Sequence, residues 1–114
     1  MHPEFDISQR GSDGWTVVEI RGEADVFTVP RIREHVVKLI EQGRSRFIVD
    51  LRRVTFMDST GLGVLVGILK RIRTHEGDLR LVITRREIHK IFHLTGLHRV
   101  FSIYDSLDDA LTPP

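Results

Sequence analysis

Phe47-Ile48-Val49-Asp50-Leu51 is a short, nearly continuous apolar run. Val54-Thr55-Phe56-Met57-Asp58-Ser59-Thr60-Gly61-Leu62-Gly63-Val64-Leu65-Val66-Gly67 follows after two arginines. The first run reads as a strand covered on both faces, as in a parallel sheet. The second leaves that strand by a loop at Asp58 and Ser59. It then enters a strongly apolar helix, from about Ser59 to His75, with Gly77 beyond its end.

A parallel strand needs crossover partners, and the flanking sequence supplies them. Downstream, Leu79 to Thr84 reads as a strand, Glu87 to Thr95 as a helix closed by Gly96, and Val100 to Tyr104 as a last strand. Ser106, with Asp109 three positions on, resembles a capping box opening a short terminal helix. Upstream, Thr28 is an N-cap candidate and Pro30 stands near the first helical position. Ile32, Val36, Leu39 and Ile40 recur at helical spacing before Gly43 supplies a stop. Earlier still, Phe5 to Ser8 and Trp15 to Arg21 read as a hairpin across a polar turn, Gln9 to Gly14. The order β-β-α-β-α-β-α-β-α predicts an α/β fold in one domain, 1-114. A mostly parallel β-sheet carries an N-terminal β-hairpin, about four helices and right-handed crossovers. Only Thr112-Pro113-Pro114 reads as a loose end.

Composition agrees and excludes several classes. The chain has 114 residues, 40% hydrophobic and 29% charged, the balance of a globular domain rather than a disordered tail. A chain of this length buries roughly 65% of its unfolded surface, enough for a core without staples. With no cysteine, disulfide frameworks, thiolate metal sites and cysteine nucleophiles drop out. The net charge is +1, but residues 44–90 hold 11 Lys/Arg against 5 Asp/Glu and the flanks 6 against 11. That excess is spread over several elements without a basic run, so a solvated surface is expected and direct nucleic-acid binding is not. No stretch approaches the roughly 18 apolar residues of a membrane span. Met1-His2-Pro3-Glu4-Phe5-Asp6 does not resemble a signal peptide, so a cytoplasmic monomer is expected.

Function is written at the start of the Ser59 helix. Asp58 or Ser59 can cap it, because either side-chain oxygen can accept from an orphan N–H. On a wheel of about 100° per residue, Leu62, Leu65, Val66, Leu69 and Ile72 face the sheet, while Thr60, Gly63, Val64, Gly67 and Arg71 face outward. Two glycines inside an exposed helix cost on the order of 1 kcal/mol each relative to alanine. A bare flank with the apolar Val64 beside it suits close approach by another protein. A phosphate on Ser59 would be tolerated by the positive helix end. Its charge of about −1.5 to −2 would alter any interface built on Gly63, Val64 and Gly67.

Asp58-Ser59-Thr60-Gly61-Leu62-Gly63-Val64, preceded by Phe56-Met57, resembles the signature of bacterial anti-sigma factor antagonists, the single-domain STAS proteins. Gly22-Glu23-Ala24-Asp25, Val49-Asp50-Leu51 and Phe92-His93-Leu94-Thr95-Gly96-Leu97 stand where that family has similar segments, and the chain is most similar to actinobacterial members. The resemblance implies a STAS-like fold and partner switching. The antagonist binds an anti-sigma factor that is also a serine kinase, and the sigma factor is released. The kinase phosphorylates Ser59, the phosphorylated form no longer binds, and a PP2C-type phosphatase restores it. Asp58 lies in the family's contact surface, the loop holding Asp25 and Thr28 contributes, and Thr60 is a second, weaker candidate acceptor. Ala24 departs from the pattern, where a larger aliphatic is usual.

Other chemistries fit less well. Gly61-Leu62-Gly63 with Gly67 nearly spells a dinucleotide fingerprint, but the third glycine is displaced by one. The Gly-x-Ser-x-Gly elbow is absent around Ser59, so no catalytic residue and no enzyme is expected. His89 and His93 lie four apart, a spacing able to hold a metal, yet no third ligand is evident, so neither metal nor cofactor is expected. The main alternative is a STAS scaffold or regulatory module that does not act on a sigma factor.

Overall fold

The computed structural model describes residues 4–112. The leaderless reading of Met1 to Pro3 and the loose end at Pro113 and Pro114 lie outside the described residues. Asp13 and Gly14 both have positive φ, at 52° and 85°, which makes a two-residue turn whose twist matches the flanking strands. It joins β1 (Asp6–Ser12) to β2 (Trp15–Ala24) in antiparallel register, so β1 is longer and the turn tighter than expected. Then follow α1 (Val29–Glu41), β3 (Arg46–Met57), α2 (Ser59–Thr74), β4 (Asp78–Val82) and α3 (Arg86–Leu94). After a 3-10 turn at Leu97–Arg99 come β5 (Ser102–Tyr104) and α4 (Leu107–Leu111).

The sheet runs β1-β2-β3-β4-β5, with every pair after the hairpin parallel. Crossovers of one hand stepping in one direction put their helices on one face. There α1, α2 and α3 bury Ile32, Val36, Leu65, Ile72, Ile88 and Phe92 against Val18, Val49 and Leu81. β3 runs on past Leu51, because Arg52 lies over the other face with its guanidinium on Asp50 at 2.7 and 2.9 Å. Asp50 itself is 1% exposed, a buried carboxylate made tolerable by that pairing.

The second face holds a smaller cluster of Trp15, Val17, Ile48, Val82 and Ala110, covered by α4. Arg80 locks this cover in place. Its guanidinium lies 4.4 Å from the Trp15 ring centroid and donates to the carbonyls of Ala110 at 2.6 Å and Thr112 at 2.8 Å. Thr112, expected to be loose, is therefore tied to the sheet. Ser106 caps α4 by accepting from the Asp109 N–H at 3.0 Å, as its spacing indicates. No helix among the described residues is long and apolar enough to cross a membrane.

One expectation for α2 is overturned. Val64 is not an exposed knob but is 8% exposed and part of the core, and Ile68 beside it is buried as well. Val66, assigned to the sheet side, is only half-buried. The buried arc is turned by roughly 60° from the wheel, because α1 packs along that flank of α2 and covers it.

Candidate functional site

β2 and β3 end side by side, with Ala24 opposite Met57. The chain then leaves β2 by a loop to α1 and β3 by a single residue, Asp58, to α2. The Asp58 N–H reaches the Ala24 carbonyl at 3.4 Å and ties the two exits together. Gly61 lets α2 sit this close: a Cβ there would lie 2.7 Å from the Ala24 oxygen and 2.8 Å from Met57 Cγ. Ala24 is itself 1% exposed, so the departure from a larger aliphatic falls in the tightest part of this junction.

Asp58 is the cap. Its Oδ1 accepts from the N–H groups of Thr60 at 3.0 Å and Gly61 at 3.2 Å and from the Thr60 hydroxyl. The Thr60 hydroxyl bond first, then the two backbone bonds, hold this carboxyl below its ordinary pKa. Ser59 is left as the first helical residue, exposed, and among the described residues its hydroxyl makes no hydrogen bond. Asp58→Ala should destabilise the fold by about 1 kcal/mol, and Asp58→Asn by less, since the amide oxygen can still cap. A carboxylate with a lowered folded pKa contributes fully above the ordinary aspartate value, about 4, and loses its contribution as pH falls through the folded value. The gap in melting temperature between the wild type and Asp58→Asn should therefore narrow from pH 6 to pH 3.

The β2–α1 loop is built differently from its sequence reading. Thr28 occupies the N-cap position of α1, but its hydroxyl makes no cap bond to that helix. It donates to the Glu23 carbonyl at 2.6 Å and accepts from the Asp25 N–H at 3.0 Å, while Asp25 Oδ1 accepts from the Phe27 N–H at 2.9 Å. Asp25 and Thr28 are buried, at 9% and 3% exposure, and shape the loop from within. What the loop presents is Val26 and Phe27, 58% and 74% exposed, with Phe56 of β3 at 46%. Sequence reading missed these three; an apolar pair between two loop-forming polar residues is the signal that could have found Val26 and Phe27.

Between α1 and α2 runs a groove of about 660 Å³, lined by Arg33 and Val37 on one side and Thr60, Gly63, Val64 and Arg71 on the other. Gly67 continues it alongside Arg71, and a Cβ at Gly63 or Gly67 would meet nothing within 4 Å. The expected flank is thus assembled, with Val64 as part of the groove wall rather than a projecting knob. His89 and His93 diverge: the first bonds the Ile83 carbonyl at 2.9 Å, and the second stacks on His98 at 4.0 Å.

A STAS domain family model matches residues 6–110, which takes in all five strands, the first three helices and most of α4. An anti-sigma-B factor antagonist of Bacillus subtilis is 39% identical over 103 residues, covering 90% of this chain and 92% of that protein. The crystal structure of an anti-sigma factor antagonist from Mycobacterium paratuberculosis gives a TM-score of 0.86 at 29% identity, over 94% of this chain and 91% of that one. The Bacillus cell fate determinant SpoIIAA in its phosphorylated form gives 0.71 at 25% identity, over 94% and 96%. The family model spans nearly all of the described residues, and the chain is a member of the STAS domain family.

Proposed function

We propose that the chain is an anti-sigma factor antagonist that works by partner switching in the cytoplasm, as a monomer when free. It binds an anti-sigma factor that is also a serine kinase and so frees the sigma factor. The α1–α2 groove with Thr60, Gly63, Val64, Gly67 and Arg71, and the rim of Val26, Phe27 and Phe56, form the docking surface. Asp58, Asp25 and Thr28 hold that surface in shape. The kinase phosphorylates Ser59, binding is lost, and a PP2C-type phosphatase reverses the change.

The observation that carries this reading is the exposed, unbonded Ser59 hydroxyl, next in the chain to Thr60, which lines the groove. Phosphorylation there adds about −1.5 to −2 charge beside the Asp58 carboxylate and the apolar rim, where a docking partner must exclude water. The positive end of the helix tolerates the phosphate and the Ser59 hydroxyl makes no bond that the fold would lose, so the fold survives the modification. Thr60 is the weaker acceptor, since its hydroxyl already bonds Asp58. Incubation with candidate anti-sigma kinases and ATP, followed by phosphosite mapping, should place the phosphate on Ser59. Native mass spectrometry with ADP should show a discrete complex before modification and none after. Phosphate confined to other residues, or no discrete complex with any such kinase, would overturn the reading in favour of a scaffold module.

A further inference from the structure

Away from the groove, Arg21, Arg53 and Arg85 line one open cavity of about 540 Å³, with Glu4, Thr55 and Gly22. They come from β2, from β3 and from the residue that opens α3. Arg21 and Arg53 are register partners on adjacent strands, an arrangement in which like charges destabilise a sheet. Two other sheet arginines are firmly held, Arg52 on Asp50 and Arg80 on two carbonyls. Here Arg53 has only Glu19 at 3.9 Å, and Arg21 and Arg85 have no ion pair or side-chain hydrogen bond among the described residues. Three guanidiniums are thus gathered without a structural use.

The surroundings are those of a ligand cavity. Gly22 has a φ of +104°, and a Cβ on it would lie 3.0 Å from Phe5 Cα, so a side chain there would be strained. Arg85 is also the N-cap residue of α3, whose first turn has no side-chain cap, and the positive end of that helix adds to the field. The cavity lies toward the carboxyl ends of parallel strands, where open α/β sheets bind ligands. Its volume falls within the range of about 300–1,000 Å³ for small-molecule sites. That concavity favours a small molecule over an acidic segment of a partner protein.

Three arginines share the carboxylates of Glu4, in the lining, and Glu19, at 3.9 Å from Arg53, which leaves guanidinium donors for an anion with more acceptor oxygens than one carboxylate has. Arginine forks match phosphate oxygens in pairs. We propose that this cavity binds a small molecule through a phosphate monoester or diphosphate group, held by Arg21, Arg53 and Arg85 with the Thr55 hydroxyl as a further donor. The site shares no residue with the Ser59 groove and stands or falls separately from the switch.

The test is titration of the purified chain with inorganic pyrophosphate at constant ionic strength, read by calorimetry and by amide NMR. Saturable one-to-one binding is expected, with the largest shifts at Gly22 and Thr55. Arg21→Gln, Arg53→Gln and Arg85→Gln should each weaken it about tenfold or more, the loss of one charge-assisted contact. Arg73→Gln, at the opposite end of α2 from Ser59, should change it by no more than about twofold. Thermal unfolding of the Arg21 and Arg53 variants should stay level or rise, which separates lost binding from lost fold. Three outcomes overturn the proposal: no saturable binding, an equal loss in Arg73→Gln, or binding of poly-glutamate at these arginines in place of pyrophosphate.

Discussion

Ser59→Glu is expected to weaken binding to the anti-sigma kinase by about 2–4 kcal/mol, the scale of an unpaired charge in a desolvated contact. In affinity this is roughly 30- to 700-fold. Ser59→Ala should bind like the unmodified chain and stay active under conditions that silence the wild type, because it cannot accept phosphate. Neither change should lower the melting temperature appreciably. The Ser59 hydroxyl makes no bond that alanine would lose, and a carboxylate in the first helical turn is favoured by the dipole. Calorimetric titration of both variants with the kinase and ADP decides the matter. Equal affinities would remove Ser59 from the switch.

The second large effect separates three glycines that look alike on paper. Gly61→Ala should lower stability by about 1–3 kcal/mol, since the new methyl meets the Ala24 carbonyl oxygen at 2.7 Å and that backbone must move. Gly63→Ala and Gly67→Ala should instead raise it by up to about 1 kcal/mol each, because the added carbon meets nothing and alanine is the better helix former. Gly67→Leu should hold or raise thermal stability while impairing kinase binding by filling the groove. Urea unfolding of the set, with binding measured alongside, tests both halves. A Gly61→Ala protein as stable as the wild type would mean that α2 is not held tightly against the end of β2. Unimpaired binding by Gly67→Leu would mean that the groove is not the docking surface.

The architecture was legible because its signals are local and repeated. The apolar run at Phe47 to Leu51, the helical spacing from Ile32 to Ile40 and the stops at Gly43, Gly77 and Gly96 each depend on neighbouring residues only. Errors arose where a distant element decides. Val64 looks outward on an isolated wheel and is buried only because α1 lies beside it. β3 seemed to end at Leu51 because two arginines follow, yet Asp50 supplies the partner that lets Arg52 lie over the sheet. The hairpin turn was a missed local signal, for Asp13-Gly14 has the residue preference of a tight two-residue turn.

The candidate site divides the same way. Asp58, Ser59, Thr60, Gly63 and Gly67 were found from the sequence, since a cap and a bare helix flank are written in consecutive residues. Asp25 and Thr28 were read as part of a contact loop and their burial was not legible, because their inward bonds to Phe27, Glu23 and each other depend on how that loop closes. The Arg21, Arg53 and Arg85 cavity could not be read from spacing at all. Its members are 32 positions apart at each step and meet only through strand register and the β4–α3 connection.

Because Asp58 rather than Ser59 closes the α2 cap, derivatising Ser59 breaks no bond that the domain relies on. Under the proposed scheme the two chemical forms then interconvert without any reorganisation of the backbone. The speed of a cell's response would follow from how much kinase and phosphatase it holds, not from relaxation within this chain. Selection could retune that tempo by adjusting enzyme abundance while leaving the domain untouched.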